Sequence, residues 1–78
     1  MKEYCLDDLC PGVELVRIGR WWVKEGDYVK QGVKIADFES TKVNFEVYAP
    51  DSGIVSQICV PPGSQISDGT PLILIDHQ

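Results

Sequence analysis

The chain repeats itself, and that repeat restricts its possible folds more than any other feature. Shifted by 37 residues, the run from Val23 to Gly32 (VKEGDYVKQG) lies over the run from Val60 to Gly69 (VPPGSQISDG). Both copies read V-x-x-G-x-x-[VI]-x-x-G, and each leads into an apolar strand-like run, Ile35 to Phe38 in the first and Leu72 to Ile75 in the second. Two glycines six residues apart can coincide by chance, but copies that also match at the flanking apolar positions seldom do. The repeat implies two like halves related by a pseudo-twofold axis, neither large enough to bury its apolar face alone. Two short antiparallel sheets packed face to face meet that need.

The rest of the chain agrees with an all-β fold. Turn signals recur at short intervals: Pro11-Gly12, Lys24 to Asp27, Lys30 to Gly32, Ala49 to Gly53, Pro61 to Gly63 and Ser67 to Gly69. Between them lie strand-like runs, Leu15 to Val23, Val33 to Glu39, Val43 to Tyr48, Ile54 to Val60 and Pro71 to Asp76, with stubs at Tyr28-Val29 and Ile66. The parity of apolar residues changes between Ile18 and Trp21, which predicts a bulge near Gly19. Tyr4, Leu6 and Leu9 suggest a short edge strand, and no stretch carries a helical period over a useful length. Trp21 and Trp22 are neighbours on one strand, so one is expected to fill the core and the other to cover the surface. Seventy-eight residues make a single small domain, taken as residues 1–78.

Charge and cysteine content exclude several functions. A net charge of -5 argues against nucleic acid and against an anionic membrane as partners. No apolar run reaches transmembrane length, and Met1 to Tyr4 lacks a signal-peptide core. Cys5, Cys10 and Cys59 are an odd set without CxxC spacing; with only His77 to add, they do not make a structural zinc site. Free thiols in a reducing compartment are expected, with a Cys5–Cys10 disulfide left open. The pair Asp7-Asp8 reads as a solvated loop. No nucleophile–base pair is evident, so no catalytic residue is assigned.

One hairpin stands apart. Ala36 and Phe38 alternate with Asp37 and Glu39 before Ser40-Thr41-Lys42, and Val43, Phe45 and Val47 alternate with Asn44, Glu46 and Tyr48 after it. So short a connection permits only a tight reversal. Without glycine at the tip, a type I turn or a close relative is expected. Lys42 would then be presented to solvent, and the repeat puts this tip at the opposite end of the domain from both termini.

These residues resemble the lipoyl domains of 2-oxo acid dehydrogenase complexes, within the biotinyl/lipoyl attachment superfamily. The resemblance is carried by Arg20-Trp21-Trp22-Val23-Lys24-Glu25-Gly26-Asp27, Gly32, Glu39-Ser40-Thr41-Lys42-Val43 and Ala49-Pro50-x-Ser52-Gly53, with Asp8-Leu9 and Gly12-Val13 upstream. It implies a flattened barrel, or barrel-sandwich hybrid, of two four-stranded antiparallel sheets. It also implies lipoate carried in amide linkage on Lys42. Glu39 and Gly53 match positions used in recognition by lipoylating enzymes, and Thr41 and Val43, which flank the attachment lysine, count as recognition positions with them. Thr41 replaces the aspartate usual in dehydrogenase members, and Cys10-Pro11 replaces a Gly-Glu pair, both at places that touch the partner decarboxylase.

The resemblance therefore implies a non-catalytic swinging-arm domain of an acyltransferase-type component, monomeric as a domain. Its implied partners are lipoate ligase or lipoyl synthesis enzymes, a 2-oxo acid decarboxylase and dihydrolipoamide dehydrogenase. Its implied location is the cytoplasm, or the mitochondrial matrix in a eukaryote. A biotin carrier is the alternative, but biotin carriers flank the lysine with methionine, and here Thr41 and Val43 stand there. An unmodified adaptor of the same fold is the third reading; it would lack the lysine or carry a helical hairpin at the turn.

Overall fold

The computed structural model describes residues 2–13, 15–41, 43–67 and 69–77. Among them are eight strands and one short helix: β1 (Lys2–Cys5), α1 (Leu6–Leu9), β2 (Leu15–Trp21), β3 (Tyr28–Val29), β4 (Lys34–Glu39), β5 (Asn44–Tyr48), β6 (Gly53–Ile58), β7 (Gln65–Ser67) and β8 (Pro71–Asp76). They form two four-stranded sheets of order β1-β8-β6-β3 and β5-β4-β2-β7, antiparallel at every pairing. The expected pair of sheets is thus observed, with both glycine-bounded stubs present as strands.

The repeat is visible bond by bond. In β2–β4, Ile18 pairs with Phe38, Arg20 with Asp37 and Trp21 with Ala36; in β6–β8, Val55 pairs with Ile75, Gln57 with Leu74 and Ile58 with Ile73. Each pair maps onto its counterpart by the same shift, and so does the irregularity between Ile18 and Arg20, which recurs between Val55 and Gln57. The predicted bulge at Gly19 therefore has a twin in the second half. Gly26 and Gly63 hold φ of 96° and 88°, the left-handed region that favours glycine, and each sends its N–H across to the other half, to Val55 O and Ile18 O. The stubs cross as well: β3, from the first half, pairs with β6, and β7, from the second, pairs with β2.

Among the described residues fifteen apolar side chains form one buried core, including Leu6, Ile18, Ile35, Phe38, Val55, Leu72, Ile73 and Ile75 at 0% exposure. Two corrections apply. Leu6 and Leu9 lie in the single helical turn α1 rather than in an edge strand; Cys5 N–H donates to Asp8 Oδ2 at 3.0 Å and caps that turn, while Leu6 drops into the core. Val43, read as part of the inward face of β5, is 60% exposed because β5 begins only at Asn44. The tryptophans behave as expected. Trp21 packs edge-on to Phe38, with centroids 6.2 Å apart, and donates to Val60 O, while Trp22 lies outside. All three cysteines are free and half-buried, and burial pushes the Cys10 and Cys59 thiols up.

Candidate functional site

The β4–β5 hairpin holds its tip by three devices. Phe38, fully buried, faces Phe45 across the pair with ring centroids 6.3 Å apart, which fastens the base of the hairpin to the core. Ser40 and Val43 close the turn: Ser40 N–H donates to Val43 O at 2.9 Å, and the Ser40 hydroxyl both donates to Val43 O and accepts the Val43 N–H. Serine is favoured at the start of such turns for this reason, a signal in the sequence that spacing alone did not bring out. Arg17 stands directly opposite Glu39 and donates from Nε to Oε1 at 3.1 Å. Among the described residues no non-glycine has positive φ, so Thr41 needs no glycine in its place.

Beyond these fastenings the surface is open. Thr41 and Val43 are both exposed. Glu39 forms a ridge between two shallow depressions of about 440 and 450 Å³, one bordered by Leu15, Arg17, Thr41 and Gln65, the other by Gly19, Asp37, Asn44 and Glu46. Lys42 itself lies outside the described residues.

The outer face of the same hairpin carries a polar network. Asp37 accepts the Trp22 indole N–H at 2.7 Å and pairs with Lys34 at 3.0 Å; Lys34 also reaches Glu46 at 3.3 Å, and the Tyr48 hydroxyl donates to Glu46. The Arg20 guanidinium sits 4.1 Å over the Trp22 ring. The indole hydrogen bond, then Lys34, holds the Asp37 carboxyl below the usual carboxylate range; the Tyr48 hydroxyl does most to lower Glu46.

Of the residues matched to recognition positions, the structure brings Glu39, Thr41 and Val43 together and leaves Gly53 elsewhere. Gly53 pairs with Val29, beside the Ala49–Ser52 connection at the far end of the hairpin. That end lies roughly 17 Å from the turn along β4, at about 3.3 Å per residue. The chain ends lie there too: Lys2 pairs with Ile75, Ile54 with Asp76, and His77 Nδ1 approaches Asp51 Oδ2 to 3.5 Å. For the described residues flanking them, tip and termini occupy opposite poles, as expected. Among the described residues no group of His, Cys, Asp and Glu is placed to hold a metal ion, and no helix is long and apolar enough to cross a membrane.

A two-sheet body with one clamped turn pushed into solvent has the build of a domain that displays an attachment point. The biotin/lipoyl family model, described as "Biotin-requiring enzyme", matches residues 8–75, and the chain belongs to that family. It is 46% identical over 57 residues to the dihydrolipoyllysine-residue acetyltransferase component of the pyruvate dehydrogenase complex of Rhizobium meliloti, covering 73% of this chain and 13% of that protein. It is 30% identical over 69 residues to the corresponding succinyltransferase component of the 2-oxoglutarate dehydrogenase complex of Bacillus subtilis, covering 88% of this chain and 16% of that protein. The chain thus spans about one-seventh of the length of these relatives. Among solved structures, the lipoyl domain of the 2-oxoglutarate dehydrogenase complex from Azotobacter vinelandii superimposes with a TM-score of 0.78 at 23% identity, covering 99% of this chain and 98% of that one, and so shows the fold.

Proposed function

We propose that this chain is a lipoyl carrier domain, bearing lipoate in amide linkage on Lys42 and serving a 2-oxo acid dehydrogenase complex. The observation that carries the reading is the turn closed by Ser40 and Val43, in which the exposed Thr41 and Val43 flank the attachment position at the pole remote from both chain ends. These residues fit a tethered group: a covalent arm needs a firm base and open surroundings rather than an enclosing cavity, and the depressions beside the turn are shallow and open. When bound, lipoate supplies dithiolane sulfurs that take up acyl groups and electrons. This chain contributes the rest. Phe38 and Phe45 hold the hairpin stiff, Ser40 fixes the turn, and tethering makes each encounter with a partner site effectively intramolecular.

The partners that follow are a lipoate ligase or the lipoyl synthesis enzymes, a 2-oxo acid decarboxylase and dihydrolipoamide dehydrogenase, met by the domain as a monomer in the cytoplasm or the mitochondrial matrix. The acyltransferase relatives support this set, and Thr41 and Val43 in place of methionine favour lipoate over biotin. Intact mass after incubation with lipoate, ATP and a lipoate ligase tests the reading. The wild type is expected to gain one lipoyl adduct and Lys42→Ala none. An adduct formed with biotin and biotin ligase but not with lipoate would replace this reading with the biotin carrier, and no lysine-dependent adduct from either would leave the adaptor.

A further inference from the structure

The two halves serve as controls for one another, and the comparison isolates Gly19. Its counterpart under the repeat is Ser56, at the same bulge in the same register. Gly19 has no positive φ, so its backbone conformation is open to any residue. Main-chain crowding alone does not single out the glycine. A Cβ at position 19 would come to 3.1 Å from Asp37 O, yet the equivalent bulge in β6 carries a serine side chain. The local difference is the side chain that lies over the bulge. That Cβ would also meet Glu39 Cγ at 3.3 Å and Cδ at 3.5 Å, so the carboxylate arm of Glu39 lies across the space that Gly19 leaves empty. Arg17, directly opposite on β2, then holds Oε1 at 3.1 Å; its counterpart in the second half is the apolar Ile54.

We infer that Gly19 and Arg17 are positioning residues for recognition by the lipoate-attaching enzyme: together they fix the Glu39 carboxylate beside the attachment turn. The partner chemistry this suits is a cluster of hydrogen-bond donors, a guanidinium or main-chain N–H groups, that reads an oriented carboxylate. The inference rests on the lipoyl reading above and adds two residues to it. An exposed glutamate on a strand end samples several rotamers, and fixing one before the encounter removes an ordering cost from binding. The reacting amine is not touched, so binding and not chemistry should respond.

The test is steady-state lipoylation of the 78-residue chain by purified lipoate ligase with lipoate and ATP, followed by intact mass. Gly19→Ala and Arg17→Gln should each raise KM for the domain, on the order of tenfold, the worth of one aligned charge-assisted hydrogen bond, with kcat within about twofold. The decisive comparison is a double-mutant cycle. In a Glu39→Gln background, Gly19→Ala should raise KM no further, because the carboxylate it displaces is gone. Circular dichroism melts accompany each variant, and Arg17→Gln, on the surface, keeps the test alive should Gly19→Ala unfold. A wild type that is lipoylated with the same KM as both single variants would overturn the inference and leave the carrier reading standing. So would a Gly19→Ala penalty that persists undiminished without Glu39. A wild type that takes no lipoate would remove both.

Discussion

At Gly53 the backbone of β6 runs so close to β8 that a methyl group has no room. A Cβ there would run into the Asp76 carbonyl oxygen and come to 2.8 Å from Ile75 Cγ2, whereas its counterpart under the repeat is Val16, a buried side chain in the core. The glycine is a packing requirement at the pole remote from the turn. Gly53→Ala should therefore destabilise by about 3 kcal/mol, the upper end of the overpacking range, lowering the melting temperature by roughly 10–20 °C for a domain of this size. Below its melting point the variant should still be lipoylated with an unchanged KM. A raised KM in a variant that remains folded would give Gly53 a recognition role despite its distance from Glu39.

The β4–β5 hairpin uses its two faces differently, and each can be probed. Inside, Phe38 and Phe45 fasten it to the core; outside, Trp22, Asp37, Lys34, Glu46 and Tyr48 form a chain of hydrogen bonds and ion pairs. The outer chain has a pH signature. The Asp37 and Glu46 carboxyls are lowered in the folded state, so their contribution is present above the ordinary carboxylate value and is lost as pH falls through the folded values. Lys34 is raised, chiefly by Asp37, so its share is full below its ordinary value and is lost only as pH rises through the raised one. The Trp22 indole N–H resonance should accordingly follow the Asp37 carboxyl, with a midpoint below the ordinary carboxylate value, and Asp37→Asn should flatten the acid limb of the stability curve. An indole resonance indifferent to pH across the carboxylate range would dissolve the network. Salt should weaken the effect, since these side chains are solvated.

How much of this hairpin could be read beforehand follows from what sequence spacing encodes. Strand alternation gave its two faces, and the three-residue spacing gave the tight reversal that Ser40 and Val43 close. The Arg17–Glu39 pair was not legible, because it depends on the register between β2 and β4, strands separated by two turns and a stub. The bulge at Ser56 carries no local signal, since a serine, unlike the glycine at position 19, is ordinary within a strand. The α1 turn, four residues long, is too short to express a helical period.

At the scale of the whole molecule, the repeat has built two interlocked halves rather than two lobes. Each sheet takes a stub from the other half: β3 closes the edge beside β6, and β7 the edge beside β2. The bonds from Gly26 to Val55 and from Gly63 to Ile18 join the halves again at equivalent points. The buried residues form a single cluster drawn from both. Opening one half therefore strips an edge strand and half the core from the other, which leaves no partly folded state with a complete sheet. Ile35 and Leu72 occupy equivalent positions and are both fully buried, so they probe the two halves evenly. Ile35→Ala and Leu72→Ala should each cost about 2–5 kcal/mol through lost burial and the cavity left behind. In both variants thermal unfolding followed by tryptophan fluorescence, which reports β2 and the residues just after it, should coincide with unfolding followed by far-ultraviolet circular dichroism, which reports all eight strands. A Leu72→Ala variant whose backbone signal melts before its tryptophan signal would show that the second half opens alone, and that the crossed stubs do not couple the sheets. Coincident transitions in both variants would mean that the attachment turn, built wholly from first-half residues, draws its stability from the entire chain.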